Sequence, residues 1–133
     1  MKFDISHDGR TTLSTNREDA EALGYPETVI ASAEAEVRAT AIKSECRRRI
    51  YAAASAETQM NMATAAAVVS AKTASNRSAE ESAMLVGLGQ AIDWVAAMRG
   101  RVLELAADSD LDFHADESWP ELPDGARDVV AMF

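Results

Sequence analysis

Residues 78–107 read SAEESAMLVGLGQAIDWVAAMRGRVLELAA. Ser78 followed three residues later by Glu81 is a capping box, the pairing that satisfies the free N–H groups at a helix start. Behind it Leu85, Leu88, Ile92, Val95, Met98, Val102 and Leu105 step by three or four, with Trp94 beside the row. That spacing brings side chains to one face of a helix of about 3.6 residues per turn, so this stretch predicts a long, one-sided helix. A charge placed at Ile92 or Val95 is expected to unfold it, because both lie on the stripe. Gly87 and Gly89 sit within the pattern, where they predict close approach of another helix.

Working backward, 27–54 carries a second helical row. It comprises Ile30, Ala33, Val37 and Ala41, with Ile42, Cys46 and Ile50, supported by acid-first pairs Glu34–Arg38 and Glu45–Arg49. Ser55 can cap a further helix to about Ala71, or it can lie within a continuous one. In that segment Met60 and Met62 are read as gap-fillers of the core, with Gln59 and Asn61 facing solvent or capping nearby turns. The alanines of 63–67 offer a small face for close packing. Residues 72–81 read as a polar loop.

At the start, Phe3 and Ile5 alternate with polar residues up to Asp8-Gly9, a strong hairpin signal. A lone hairpin is marginal in water, so it must lean on the helices or pair with another chain. Thr15 with Glu18 fits a capping box for a short helix closed by Gly24. At the other end, 108–123 is acidic and proline-containing. It reads as an extended strap pinned by Phe113 and Trp119, before a short helix near Asp124.

The fold class that follows is mainly α: a small bundle of two to three long antiparallel helices, with an N-terminal β-hairpin and a short C-terminal helix. The expected parts are 1–26 (hairpin and short helix), 27–107 (bundle) and 108–133 (strap and short helix).

Length and charge narrow the function. The chain has 133 residues, enough for a modest core. A net charge of −9 repels phosphate backbones and anionic lipid, so neither nucleic acid nor a membrane is an expected partner. The opening residues lack a signal-peptide layout, which sets folding in a cytoplasm as the expectation. Arg47, Arg48 and Arg49 point in three directions on a helix and read as ion-paired. The single cysteine, Cys46, lies on an apolar stripe and reads as core. Asp108 to Glu117 resembles a calcium loop until it is counted. Phe113 and Trp119 occupy the positions that need glycine and glutamate. His7 and His114 lack zinc spacing. No nucleophile elbow, phosphate loop or dinucleotide fingerprint occurs, so neither catalysis nor a cofactor is expected.

The stretch 42–69, IKSECRRRIYAAASAETQMNMATAAAVV, together with AIDWVAAMR at 91–99 and ESWPELP at 117–123, resembles small proteins of tailed bacteriophages and prophages of proteobacteria. Arg48, Arg49, Ile50, the Gln-Met-Asn-Met run, Trp94, Met98, Arg99, Trp119 and Pro120 carry the resemblance. Such proteins are encoded near tail-tip or tail-fibre genes. The resemblance implies a non-enzymatic structural protein of the virion tail, made in the host cytoplasm. Its partners would be other tail or fibre proteins, with a homo-oligomer possible. The alternative role is an assembly chaperone absent from the mature particle. The residues assigned to such contacts are Phe3, Ile5 and Leu13 of the hairpin and Phe113, Trp119 and Phe133 of the tail.

Overall fold

The computed structural model describes residues 1–133 and is mainly helical. In chain order it has strands β1 (Phe3–His7) and β2 (Arg10–Thr15), then helices α1 (Arg17–Ala22), α2 (Glu27–Ala53), α3 (Ala56–Ser70), α4 (Ala79–Ala107) and α5 (Asp124–Val130). The chain divides into two compact units, 1–44 and 45–133, with the boundary inside α2. The N-terminal unit is therefore larger than the expected 1–26. The hairpin needs an apolar floor, and the first turns of α2 supply it.

In the N-terminal unit, β1 and β2 pair antiparallel across Asp8-Gly9, both with positive φ, as a tight hairpin turn requires. The pairing slips by one residue between Phe3–Thr15 and Ile5–Thr12. Ser14 sits at this bulge with φ 52°, and its N–H donates to the Asp4 carboxylate at 2.8 Å. The extra residue inverts the alternation of β2, so Thr15 turns inward while Leu13 faces solvent. Phe3, Ile5, Ala20, Tyr25 and Ile30 form the core here, with Val29, Ala33 and Val37 packed against them.

Thr15 does not cap α1, because it is held in the strand. Asn16 does so instead, accepting from the Asp19 N–H at 2.9 Å. At the other end Tyr25 N–H reaches Ala20 O and Gly24 N–H reaches Glu21 O, a Schellman closure with Gly24 at φ 83°. Arg17 holds α1 to α2, with contacts of 2.6 Å to both Glu27 and Glu34, which raise its affinity for the proton further. Glu34 thus serves α1, beyond the expected pairing along its own helix.

In the second unit, Ser55 does break the chain. Its hydroxyl accepts from Thr58 N–H at 3.1 Å and starts α3. The Ser78–Glu81 box caps α4 with both reciprocal bonds, at 3.0 and 3.1 Å. Met62, Val69, Met84, Leu88 and Val129 form one core cluster, pairing the end of α3 with the start of α4 in antiparallel sense. α4 buries Met84, Gly87, Leu88, Trp94, Met98, Val102 and Leu105. Ile92 is not among them: it is 69% exposed, and Val95 is half-buried. The buried stripe keeps Leu88, Met98, Val102 and Leu105 of the expected one and takes in Met84, Gly87 and Trp94 in place of Leu85, Ile92 and Val95, a rotation of roughly 50° at about 100° per residue.

Gly87 is where α5 lands. A methyl group there would meet Gly125 O at 2.6 Å and Val129 Cβ at 3.1 Å, so only glycine leaves room for this approach. Gly89 faces open space, contrary to the helix contact expected of it. No helix is long and apolar enough to cross a membrane.

Candidate functional site

Two concavities mark the second unit. The first is polar, about 640 Å³, and is built where the strap crosses the end of α2 and the middle of α4. The arginine run supplies its charges. Glu45 accepts from Arg48 at 2.6 Å and from Arg49 at 2.8 Å, and its side chain is only 10% exposed. The hydrogen bond from Arg48 is the larger cause holding its carboxyl down to about 2, against burial, with Arg49 adding to it. Arg49 then reaches Asp116 at 2.8 Å and donates to the His114 carbonyl at 2.9 Å. Its guanidinium also lies over the Trp119 ring, 5.6 Å from the centroid.

The strap is tied at three further points. Trp94 Nε1 donates to Pro120 O at 2.9 Å, Arg101 Nε to Ser118 O at 2.7 Å, and Trp119 Nε1 to Phe113 O at 2.7 Å. Arg48 and Arg49 are thus engaged by carboxylates of their own chain, as the reading of an ion-paired face anticipated. This cavity is a clamp for the strap. Its arginines are already neutralised and leave little cationic pull for an outside anion.

The second concavity is apolar, about 420 Å³, and runs between α3 and α4. Ala53 and Ala54 close one end, Ala63 and Ala66 form one wall, and Ala91, Ile92 and Ala96 form the other. Leu122 and Val130 reach it from the strap and α5. The small side chains leave the space open: α3 and α4 touch through few large residues, and no bulky group fills the wedge. One charged residue, Arg99, stands on its lining. Ile92, 69% exposed, is the large exposed side chain on its lining; Met60 and Val68 of α3 and Leu103 of α4, exposed at 70%, 61% and 74%, lie outside that lining. Met60 therefore departs from its expected core role, which Met62 alone fills. Gln59 behaves as expected of a cap, donating from Nε2 to Ala54 O at 2.8 Å.

Against this geometry the residues assigned to protein contacts separate. Phe3 and Ile5 are buried in the N-terminal core, and Trp119 is buried within the strap against Arg49. Phe113 is half-buried. Leu13 and Phe133 are exposed, at 71% and 38%. None of the six lines the apolar groove. The sequence signal that marks the groove is α3 itself, which carries no charge after Glu57. Its exposed polar residues, Asn61 and Thr64 among them, are all uncharged past that point.

Cys46 is buried, and burial pushes its thiol above the ordinary range while nearby Arg99 pulls the other way. No group of three or more His, Cys, Asp and Glu gathers to hold a metal ion. No protein-family model matches the chain, and no curated protein matches it.

Proposed function

We propose that this chain is a non-enzymatic structural component of a tailed-phage particle, placed in the tail-tip or fibre-attachment region and acting through protein–protein contacts. The observation that carries the contact role is the open apolar groove between α3 and α4, with Ile92 exposed on its wall. Such a face costs solubility unless something covers it, and the −9 charge elsewhere on the chain keeps it soluble until then. The setting in a phage tail is supported by the resemblance carried by residues 42–69, 91–99 and 117–123. Several of those residues serve the strap clamp: Arg48, Arg49, Trp94, Trp119 and Pro120.

Mass spectrometry of purified particles tests the reading. The chain is expected at a stoichiometry matching a tail component. Its absence from particles, together with its recovery bound to a fibre protein in infected cells, would replace this role with that of an assembly chaperone.

A further inference from the structure

We propose that this chain dimerises by exchange: Ser55 straightens, α2 and α3 join into one helix, and residues 56–133 of each copy pack on the α2 end of the other. The partner is a second copy, and the inference does not depend on a place in a phage tail.

The break between α2 and α3 is slight. α2 ends at Ala53 and α3 begins at Ala56. Ser55 has φ −60°, already a helical value, so its ψ of 162° alone carries the departure at that residue. Ala54 N–H still reaches Ile50 O at 3.1 Å, and Gln59 N–H reaches Ser55 O at 2.9 Å. Between them the N–H groups of Ser55, Ala56 and Glu57 donate to no backbone carbonyl. A continuous helix would pair all three, and Thr58 N–H, with the carbonyls four residues back. Nothing in YAAASAETQ at 51–59 opposes it: the stretch holds no proline or glycine, and four of its nine residues are alanine.

Two side-chain hydrogen bonds favour the bend. The Ser55 hydroxyl accepts from Thr58 N–H at 3.1 Å, and Gln59 Nε2 donates to Ala54 O at 2.8 Å. Packing there adds little, since the first buried residue of α3 is Met62. The inside of the angle is the open groove, walled by Ala54, Ala63 and Ala66. What requires the bend is the return of one chain onto itself. The strap must reach the end of its own α2, where Arg49 meets Asp116, the His114 carbonyl and the Trp119 ring. Two copies satisfy the same requirement without bending. Each α2 end takes the strap of the other, and α3 stays packed on its own α4 through Met62, Val69, Met84 and Leu88. Every contact of the clamp re-forms between chains, and both hinges gain their helical bonds. Short connections invite exchange of this kind.

The charge of −9 on each copy opposes association, so exchange is expected when chains fold together at high concentration. The full chain is therefore refolded from urea at millimolar concentration and examined by sedimentation velocity. Ala56→Pro holds the bent form: Ser55 before it is already extended, and the first helical position accepts proline. The same proline breaks a continuous helix. It should weaken the dimer at least about a hundredfold while the monomer melts no lower than wild type. Ser55→Ala removes the cap and suits a helix interior, so it should tighten the dimer at least about tenfold. In dimers refolded from mixed isotope-labelled and unlabelled chains, isotope-filtered NMR should show Trp119 of one copy against Arg49 of the other. Wild type and Ser55→Ala both remaining monomeric overturns the proposal. So does a dimer indifferent to either substitution, or one whose Trp119–Arg49 contacts stay within each chain, which would be a surface contact between unexchanged copies. Particle mass spectrometry, which tests the tail role, is independent of these results.

Discussion

Glu45 joins Arg48 and Arg49 and, through Arg49, the strap. Its carboxyl is held at about 2, below the 4.5 of a free glutamate, so the folded state binds this proton less readily than the unfolded one. The stability it contributes is complete above about pH 4.5 and is lost as pH falls toward 2. Glu45→Gln should cost about 1–3 kcal/mol at neutral pH, since it removes the carboxylate shared by Arg48 and Arg49, although Arg49 keeps Asp116 and the His114 carbonyl. The same variant should lose less further stability than wild type between pH 4.5 and 2, which chemical denaturation across that window would read. Ile92 illustrates the opposite case. With 69% of its surface exposed, Ile92→Asp is expected to shift stability by no more than about 0.5 kcal/mol. Met98→Ala, at a position 1% exposed, should cost about 2–5 kcal/mol. Thermal melts of the pair compare the two faces of α4 directly.

Among the elements, α5 depends on one glycine. Gly87→Ala should destabilise by about 1–3 kcal/mol despite the better helix propensity of alanine, because the new methyl collides with the α5 backbone. Gly89→Ala, two residues away and facing open space, should be neutral or stabilise by up to about 1 kcal/mol. Calorimetry of the two variants separates packing from propensity. The elements were also the most legible part of the sequence. The Ser78–Glu81 box, Gly24, Asp8-Gly9 and the end of α2 near Ala53 all stand where local chemistry put them. The failures share a cause. Thr15 reads as a cap until strand pairing takes it, and the Ser14 bulge follows from tertiary fit that no local preference encodes. On α4, periodicity fixed a helix but not its rotation. Two rows of apolar residues compete there, and only the position of α5 and the strap decides which is buried. The groove was missed for the same reason: its residues look like ordinary core residues.

Taken whole, the molecule buries four of its seven aromatic residues, Phe3, Tyr25, Trp94 and Trp119, and leaves Tyr51 and Phe133 exposed together with the aliphatic Met60, Val68, Ile92 and Leu103. Of the parts most prominent in the sequence, the arginine run meets the acidic tail through Arg49 alone, on Asp116 and the His114 carbonyl. The part least prominent, a run of alanines, leaves the open surface. The lone thiol belongs to this scale as well. Cys46 is 4% exposed, and its burial disfavours the reactive thiolate. A thiol reagent should therefore modify native protein far more slowly than urea-unfolded protein, and its rate should climb with denaturant before the global transition if the region opens locally. Equal rates for folded and unfolded chains would contradict the buried placement. The chain thus carries its own stopwatch for breathing, wound by a single sulfur atom and readable without altering a residue.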